Sequence, residues 1–231
     1  ENQLGVLMGR DRRWRPGAPV QVASVDTLRN RAKPLADIVF VDECHRATAK
    51  SYRDIAAYYP DALHLGLTAT PFRANGAGLD DAYDDLLLVA SPRQLIDEGH
   101  LVEPRVFTVP TDALPDLSAV RVKRGDYDQR ALAEAVDSKT LIGNLVEHWV
   151  RHAEGVRTVA FAVSVAHSQH IAEQFRQAGV AAEHLDGATP TEERDAILAR
   201  LERGETRVVS NCGVLGEGWD QPAVKCAILA R

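Results

Sequence analysis

The chain alternates short apolar runs with stretches whose apolar residues recur at helical spacing. Runs of strand length occur at 20–25, 38–41, 63–67, 158–163, 180–185, 207–211 and 224–229. Helical spacing is found at 141–150 and 166–178, and a further helical segment spans 189–202. Strand–helix–strand repetition favours parallel pairing through right-handed crossovers. The pattern therefore predicts an α/β protein with mainly parallel sheets.

A break in this pattern divides the chain into two parts. Residues 110–127 carry prolines and charges with little periodicity, so we place a linker at 111–139. The linker separates an N-terminal lobe at 1–110 from a C-terminal lobe at 140–231. Because strands and helices alternate on both sides, we expect two similar α/β lobes with a cleft between them.

The strand at 38–41 ends in two carboxylates, Asp42 and Glu43, which are followed by Cys44 and His45. Its β-branched content is typical of a strand buried on both faces of a parallel sheet. Because unpaired buried charges are disfavoured, we expect the acids at the carboxyl end of the strand, where open α/β sheets bind ligands. One carboxylate could hold Mg²⁺ while its neighbour handles the proton of an attacking water. Taken alone, the pair is better explained as a structural acidic turn than as a catalytic site.

Two further motifs also follow strands. Thr68, Ala69 and Thr70 end the run at 63–67, and the two hydroxyls could bond neighbouring carboxylates or water. Threonines that only cap a turn would look the same. In the second half, three glycines between 213 and 218 permit positive φ and a close approach of the backbone. A flexible loop explains these glycines, but it does not explain the string Glu-Gly-Trp-Asp at 217–220.

Together these motifs resemble superfamily 2 helicases and translocases, the DEAD/DEAH-box relatives. The string at 42–45 is similar to the Walker B box of that family, the string at 68–70 to its third motif, and 210–220 to its fifth. The resemblance covers nearly the whole chain and points towards RadD-like proteins or type III restriction subunits. It implies two RecA-like lobes, ATP and Mg²⁺ as cofactors, and nucleic acid as the partner, DNA more than RNA.

The resemblance also implies a role for each candidate residue. Asp42 would bind Mg²⁺, Glu43 would position or deprotonate the attacking water, and His45 would link this site to the cleft. The residues expected to couple nucleotide to nucleic acid are Thr68, Ala69 and Thr70. The residues expected to bind ATP from the second lobe are Gly218 and Asp220. The residues expected at the nucleic-acid backbone are Ser24, Thr27 and Ser164.

The charge balance restricts the kind of surface that the protein presents. The net charge is −6, from 33 acidic and 27 basic residues, which argues against a protein coated in basic surface but not against a local nucleic-acid groove. One basic cluster surrounds Trp14 and consists of Arg10, Arg12, Arg13 and Arg15. A solvated loop is the simpler interpretation of this cluster, and a phosphate or base contact is the alternative.

The cysteines and the apolar runs bear on the cellular compartment. The three cysteines, Cys44, Cys212 and Cys226, form no C-x-x-C pair, so they support neither a zinc knuckle nor a disulfide scaffold. No apolar run is long enough to span a bilayer, and no signal peptide is visible. We therefore expect a cytoplasmic protein without a membrane partner.

The motif that would grip the nucleotide phosphates is missing from the chain. A phosphate cradle needs Gly-Lys followed by Ser or Thr, and no Gly-Lys pair occurs here. The resemblance places that loop before residue 1 and the arginine-bearing sixth motif after Arg231, so we expect both lobes to be truncated. Because an arginine finger contributes roughly 10³–10⁵ in rate, the chain by itself is expected to hydrolyse ATP poorly.

Two other functions stay open from the sequence. A nucleic-acid-binding scaffold could keep the fold without catalysis, and flanking Gly-Lys-Thr and Gly-Arg-x-x-Arg motifs would favour the motor over the scaffold. A metal-dependent nuclease could use Asp42, Glu43, His45 and His64 to cleave DNA with Mg²⁺ and without ATP. The nuclease ranks last because it leaves the threonine turn and the glycine-rich string unexplained.

Overall fold

The computed structural model describes residues 3–71, 78–108, 115–118, 120–123, 126–137, 139–216 and 218–230. The chain forms two compact units, Glu1–Pro104 (unit 1) and Arg105–Arg231 (unit 2). A helix at Gln129–Val136 lies within the segment that we predict as the linker. The lobe and linker boundaries at 1–110, 111–139 and 140–231 stay predictions.

Unit 1 contains two pairs of parallel strands. β1 (Leu4–Leu7) pairs with β2 (Val20–Ala23), and β3 (Ile38–Asp42) pairs with β4 (Leu63–Leu67). The register of the second pair places Leu67 opposite Asp42. Because β3 and β4 are parallel, the segments that follow them leave the sheet at the same edge.

Short helices lie between and after these strands. The helices that the structure describes in unit 1 are α1 (Val25–Arg29), α2 (Lys50–Ala56) and α3 (Pro92–Asp97), and a 3-10 turn spans Cys44–Arg46. The helix α3 has an N-terminal side-chain cap, because Ser91 Oγ accepts a hydrogen bond from the Gln94 N–H at 3.1 Å. Pro92 opens the helix at a position where a missing N–H costs no hydrogen bond.

The prediction of a strand buried on both faces is wrong for β3. The side chains of Ile38 and Phe40 are 50% and 64% exposed, whereas Val39 and Val41 on the other face are half-buried. The exposed face continues on the leucines of β4, and within the described ranges β4 is the strand that pairs with β3. Burial depends on the elements that pack against a strand, and apolar content alone does not reveal them.

Unit 2 is built on a parallel sheet of four strands in the order β10–β7–β9–β8. These strands are β7 (Thr158–Ala162), β8 (Ala182–Leu185), β9 (Val208–Asn211) and β10 (Cys226–Ala230). A short antiparallel pair precedes them, formed by β5 (Val122–Lys123) and β6 (Asp126–Tyr127). The helices described in unit 2 are α4 (Gln129–Val136), α5 (Lys139–Ala153), α6 (Val165–Gln177) and α7 (Thr191–Arg203). The predicted α/β fold with mainly parallel sheets is confirmed.

The core of unit 2 contains an aromatic pair contributed by α5 and α6. The rings of Trp149 and Phe175 meet edge to face, with centroids 5.3 Å apart and an interplanar angle of 89°. Both side chains are buried, and the indole N–H of Trp149 donates to Thr158 Oγ1 at 2.7 Å. This contact fixes α5 to the start of β7. Of the apolar stripe predicted at 141–150, Leu145, Val146 and Trp149 belong to the core, whereas Val150 is exposed.

A buried histidine in α6 makes the stability of unit 2 depend on pH. His167 is 2% exposed, its Nδ1 has no hydrogen-bond partner in the structure, and burial lowers the pKa of its imidazole. Asp137 raises this pKa and His170 lowers it, both by smaller amounts. The unfolded chain therefore binds a proton more readily below about pH 6.5, the ordinary value for histidine, and we expect stability to fall as the pH drops through that range.

The measurement is the free energy of unfolding at pH 7.5 and pH 5.5, for the wild type and for His167→Gln. Every other titrating group is present in both proteins, so the difference between their pH slopes isolates His167. The expected result is a smaller loss of stability at pH 5.5 in the variant. Equal slopes would contradict the role given to His167.

Candidate functional site

The chain turns sharply at Glu43, directly after β3. Glu43 has φ of 50° and ψ of 49°, and no other non-glycine residue in the described ranges has a positive φ. This left-handed conformation costs about 1–3 kcal/mol for a residue with a side chain, and such strain is concentrated at functional sites. The Glu43 N–H donates to Asp42 Oδ1 at 3.0 Å, and the 3-10 turn begins at the next residue. The two carboxylates thus stand at the carboxyl end of the strand, as predicted.

An imidazole joins this acidic turn to the threonine turn after β4. His45 Nδ1 lies 3.3 Å from Glu43 Oε2 and 3.2 Å from Thr68 Oγ1. Thr68 Oγ1 also accepts a hydrogen bond from the Thr70 N–H at 3.1 Å, which closes the threonine turn. Ala69 is exposed between the two threonines. The structure therefore brings both motifs together around one imidazole, which the parallel register of β3 and β4 makes possible.

A cysteine–tyrosine pair behind the acidic turn was not found from the sequence. Cys44 is 3% exposed, and its thiol shares a hydrogen bond with the hydroxyl of Tyr83. Burial raises the pKa of Cys44, and burial together with Cys44 raises the pKa of Tyr83 to about 12. Both groups are therefore uncharged near neutral pH, and Cys44 supports the turn instead of reacting. The sequence feature that could have indicated this pair is Gly66 in β4, because its missing side chain leaves room for Cys44 and Tyr83.

Filling the space at Gly66 is expected to destabilise unit 1. A Cβ at this position would lie 2.6 Å from Tyr83 Cζ and 2.7 Å from Cys44 Sγ, so Cys44 and Tyr83 would have to move. Overpacking of this kind costs about 1–3 kcal/mol. The measurement is hydrogen exchange of the β4 amides in Gly66→Ala, with Gly17→Ala as control because a Cβ at Gly17 meets nothing within 4 Å. Equal exchange in the two variants would contradict this account.

The residues of the acidic turn fit a magnesium ion that is shared with a nucleotide. Asp42 is exposed, and one of its oxygens accepts from the Glu43 N–H, while the other accepts no hydrogen bond from the residues that the structure describes. Mg²⁺ is usually held by one or two carboxylates, several waters and substrate phosphates. Within the described residues, no group of three acidic, histidine or cysteine side chains could enclose a metal. Asp42 could supply one carboxylate to an ion whose other ligands are waters and phosphates.

His64 does not join the acidic site. It lies opposite Val39 in the register of β3 and β4, and its Nε2 is 2.9 Å from the carbonyl oxygen of Tyr59. The nuclease hypothesis therefore loses one of its four candidate residues.

The hydroxyls of Ser24 and Thr27 lie together at the start of α1. Thr27 Oγ1 accepts hydrogen bonds from Ser24 Oγ at 2.8 Å and from the Gly9 N–H at 2.9 Å. Both side chains are half-buried, and the acceptor capacity of Thr27 is used within the protein. The hydroxyl of Thr27 can still donate its hydrogen, and a phosphate oxygen is a suitable acceptor. The role predicted for these residues at the nucleic-acid backbone stays a prediction.

The candidate residues of unit 2 lie after its parallel strands. Ser164 follows β7 and caps α6, because its Oγ accepts from the His167 N–H at 3.1 Å. Gly218 has φ of 75°, and both Gly218 and Asp220 are exposed in the segment after β9. The role of Ser164 at nucleic acid and the roles of Gly218 and Asp220 at ATP stay predictions. Glu217, the remaining member of the Glu-Gly-Trp-Asp string, lies outside the described residues.

Asn211 holds the start of this glycine-rich segment, a role that the sequence did not reveal. It is 1% exposed, and its Nδ2 donates to the Ala160 carbonyl at 2.9 Å. Its Oδ1 accepts from the Leu215 N–H at 3.1 Å. One side chain therefore fixes the glycine-rich segment to β7, and the signal in the sequence is a single amide at the end of an apolar strand.

A second polar network holds the turn after β8. Asp186 accepts hydrogen bonds from the Ala188 and Thr189 N–H groups at 2.8 Å and 3.1 Å. His184 lies 3.2 Å from Asp186 and 2.8 Å from Ser168 Oγ, and the hydrogen bond with His184 is the main cause of the lowered pKa of Asp186. Ser168 is fully buried, so no substrate reaches its hydroxyl despite the Ser-His-Asp order. The network is structural and shapes the turn.

Family models match most of both halves of the chain. Residues 13–73 match the model for the type III restriction enzyme res subunit, which includes both strand-end motifs of unit 1. Residues 139–231 match the model for the helicase conserved C-terminal domain.

Curated relatives extend these matches along the chain. A 51.5 kDa protein of a Lactococcus phage is 34% identical over 92% of this chain and 46% of its own length. The protein of Schizosaccharomyces pombe named "Putative mitochondrial ATP-dependent helicase irc3" is 32% identical over 90% of this chain and 36% of its own length. The Saccharomyces cerevisiae protein named "Putative ATP-dependent helicase IRC3" is 28% identical over 92% of this chain and 32% of its own length. The chain thus spans less than half the length of these relatives.

Solved structures show the same fold. A fragment titled as an HsdR subunit of a type I restriction enzyme from Vibrio vulnificus has a TM-score of 0.68 at 18% identity, and the match covers 100% of this chain and 44% of that one. Saccharomyces cerevisiae Dbp5 bound to RNA and ADP BeF3 has a TM-score of 0.51 at 15% identity, and the match covers 100% of this chain and 55% of Dbp5. At these identities the likeness shows the fold alone, and the predicted RecA-like fold is confirmed.

Proposed function

This chain belongs to the superfamily 2 helicases, and from that premise we propose that its protein couples ATP hydrolysis to the separation or movement of nucleic-acid strands. The observation that carries the proposal is the link from Glu43 through His45 to Thr68. It joins a carboxylate suited to activating water to the turn at the end of the neighbouring strand. A movement of either turn would therefore be transmitted to the other turn through the imidazole of His45.

ATP and Mg²⁺ belong to this proposal. Asp42 would hold the ion, and bound Mg²⁺ would neutralise negative charge on the phosphates. Glu43 would orient the attacking water and take its proton, a role supported by its position beside His45, which holds the carboxylate in place. Gly218 and Asp220 would contact the nucleotide, a role supported by their exposure and by the family's fifth motif.

The nucleic-acid partner is proposed to be DNA in preference to RNA. A relative matching 45% of this chain at 32% identity is named a type I restriction enzyme EcoAI endonuclease subunit, which supports DNA. Thr27 and Ser164 would donate hydrogen bonds to backbone phosphates through their hydroxyls. Ser24, whose O–H is donated to Thr27, would hold Thr27 in position for that contact. The threonine turn would carry the effect of nucleic acid to Glu43 through His45.

We also propose that the protein is located in the cytoplasm. Cys44, Cys212 and Cys226 are free thiols, which suits a reducing compartment. Among the described residues, no helix has the length and apolar content that a membrane crossing requires.

The test is ATP hydrolysis by the full-length protein, alone and with single-stranded DNA, duplex DNA or RNA at equal nucleotide concentration. Hydrolysis should rise with nucleic acid, and more with DNA than with RNA. A stronger response to RNA would contradict only the choice of DNA. Nucleic-acid binding without any hydrolysis would favour the scaffold and contradict the motor.

A further inference from the structure

The basic residues of the chain are concentrated near its start. Seven of its 27 lysines and arginines lie between residues 10 and 33, a stretch that holds two of its 33 acidic residues. The chain as a whole carries a net charge of −6, so this positive potential is local. Local positive charge on an acidic protein indicates a site for an anionic partner and not general adhesion to polyanions.

The segment at 8–18, which we call the arginine loop, has a well-fixed backbone. The Val6 N–H donates to the Arg13 carbonyl at 3.1 Å, and the Asp11 N–H donates to the Met8 carbonyl at 2.9 Å. Gln21 Nε2 donates to the carbonyls of Arg15 at 2.7 Å and Ala18 at 2.9 Å. A loop held by this many contacts can present its side chains without a large ordering cost on binding.

The arginine loop presents an aromatic ring that is supported on one side by a cation. Trp14 is 46% exposed, and the guanidinium carbon of Arg31 lies 6.0 Å from the centroid of its ring. Arginine behind an indole adds a cation–π attraction and leaves the other face open to a second flat group. Nucleic-acid bases supply such a group, and stacking on aromatic side chains does not depend on their identity.

The arginines beside Trp14 differ in how their charge is used. Asp11 forms a two-point ion pair with Arg13, at 3.1 Å from its Nε and 2.8 Å from its Nη2, and this pair lowers the pKa of Asp11 to about 2. The one carboxylate of the loop is therefore engaged by Arg13. Among the residues that the structure describes, no carboxylate pairs with the exposed Arg10 or Arg12, so their charge is available to phosphates.

Hydrogen bonds attach the arginine loop to Ser24 and Thr27 at the start of α1, the residues proposed to lie at the nucleic-acid backbone. The Gly9 N–H donates to Thr27 Oγ1 at 2.9 Å, and Arg31 donates to the Gly9 carbonyl. Thr27 bonds to Ser24 in turn. A strand that meets Ser24 and Thr27 therefore has the arginine loop directly beside it.

We propose that the arginine loop binds single-stranded nucleic acid, with one base stacked on Trp14 and the adjoining phosphates on Arg10 and Arg12. The inference rests on the proposed function, since it names a further contact for the same strand. Single strands fit better than duplexes, because an exposed indole needs an unpaired base with a free face.

The test measures binding by the full-length protein without ATP. The probes are fluorescent oligomers of 20 deoxythymidines or 20 uridines and a DNA duplex of the same length. Trp14→Ala is expected to weaken binding to both single strands by about 5- to 150-fold and binding to the duplex much less. Trp14→Phe keeps a stacking ring and should retain most of the affinity. The exposed Arg203, which is paired with Glu205 in unit 2, provides the control variant Arg203→Ala.

Two further readouts distinguish stacking from a general effect of charge. Oligonucleotide should quench part of the tryptophan fluorescence of the wild type, and Trp14→Phe should lose that part while still binding. Arg12→Gln should reduce the slope of log affinity against log salt by about 0.7 for single strands. Poly-L-glutamate should compete poorly with the oligomers.

The outcomes separate this inference from the proposed function. Equal binding of single strands by the wild type and Trp14→Ala overturns the inference, even where nucleic acid still stimulates ATP hydrolysis. Competition by poly-L-glutamate that matches the oligomers also overturns it, because the loop would then be a site for an acidic protein. Loss of single-strand affinity in Trp14→Ala, together with loss of the quenching in Trp14→Phe, supports the inference whatever the ATPase assay shows.

Discussion

Replacing Glu43 with glutamine in the full-length protein is expected to leave ATP binding intact and to lower turnover by about 10²–10⁴-fold. The amide has nearly the size of the carboxylate and keeps an oxygen within reach of His45 Nδ1, which is 3.3 Å from Glu43 Oε2. The left-handed turn is equally accessible to glutamine, so the backbone need not change. The amide cannot accept a proton from the attacking water, and hydrolysis loses its base.

The measurement combines equilibrium binding of a fluorescent ATP analogue with steady-state hydrolysis. Glu98→Gln is the matched control, because Glu98 also lies beside a histidine, 3.8 Å from His100 Nε2, but at an exposed position after α3. Near-normal hydrolysis by Glu43→Gln would contradict the role assigned to Glu43. Loss of ATP binding would show that this carboxylate serves the nucleotide and not the water.

The second large effect is expected at Phe175, in the core of unit 2. Phe175 is fully buried against Trp149, and its truncation to alanine removes the edge-to-face contact and leaves a cavity. Such changes cost about 3–5 kcal/mol, a large share of the 5–15 kcal/mol that typically stabilises a domain. The sheet that positions Ser164 and Asn211 should therefore open much more often.

Hydrogen exchange in the intact chain measures this effect within one unit. Peptides from β7 and β9 report on unit 2, and peptides from β1 and β3 serve as an internal reference. Phe175→Ala should accelerate exchange in the first set alone. Val165→Ala on the same helix is the control, because Val165 is exposed and its truncation should change stability by less than about 0.5 kcal/mol. Unchanged exchange in Phe175→Ala would contradict the importance given to this ring.

The main part of the candidate site was predictable because it depends on strand ends. Asp42 and Thr68 each come at the end of an apolar run, and parallel strands bring their carboxyl ends to one edge. We expected the threonine hydroxyls to bond neighbouring carboxylates or water, and in the structure Thr68 Oγ1 instead lies 3.2 Å from His45 Nδ1. Periodicity and residue type were sufficient to place both turns at strand ends, since both features are local.

The supporting residues were not predictable from the same patterns. Tyr83 follows Cys44 by almost forty residues, and no periodicity relates the two. Asn211 looked like the last residue of a strand, yet its amide holds Leu215 and Ala160. The exposed face of β3 is a further case, because its apolar residues indicated burial that the packing does not supply.

The sequence by itself determined the alternation of the main strands and helices, the chemistry at the strand ends and the local excess of positive charge near residues 10–33, but it did not indicate β1 or α4. These features follow from residue type and short-range spacing. Only the tertiary structure decided that Glu43 turns through a left-handed conformation, that His45 bridges two turns and that Arg31 lies over Trp14. Contacts of this kind depend on angstrom-scale placement of side chains, in part from residues distant along the chain, and local periodicity carries no information about that placement.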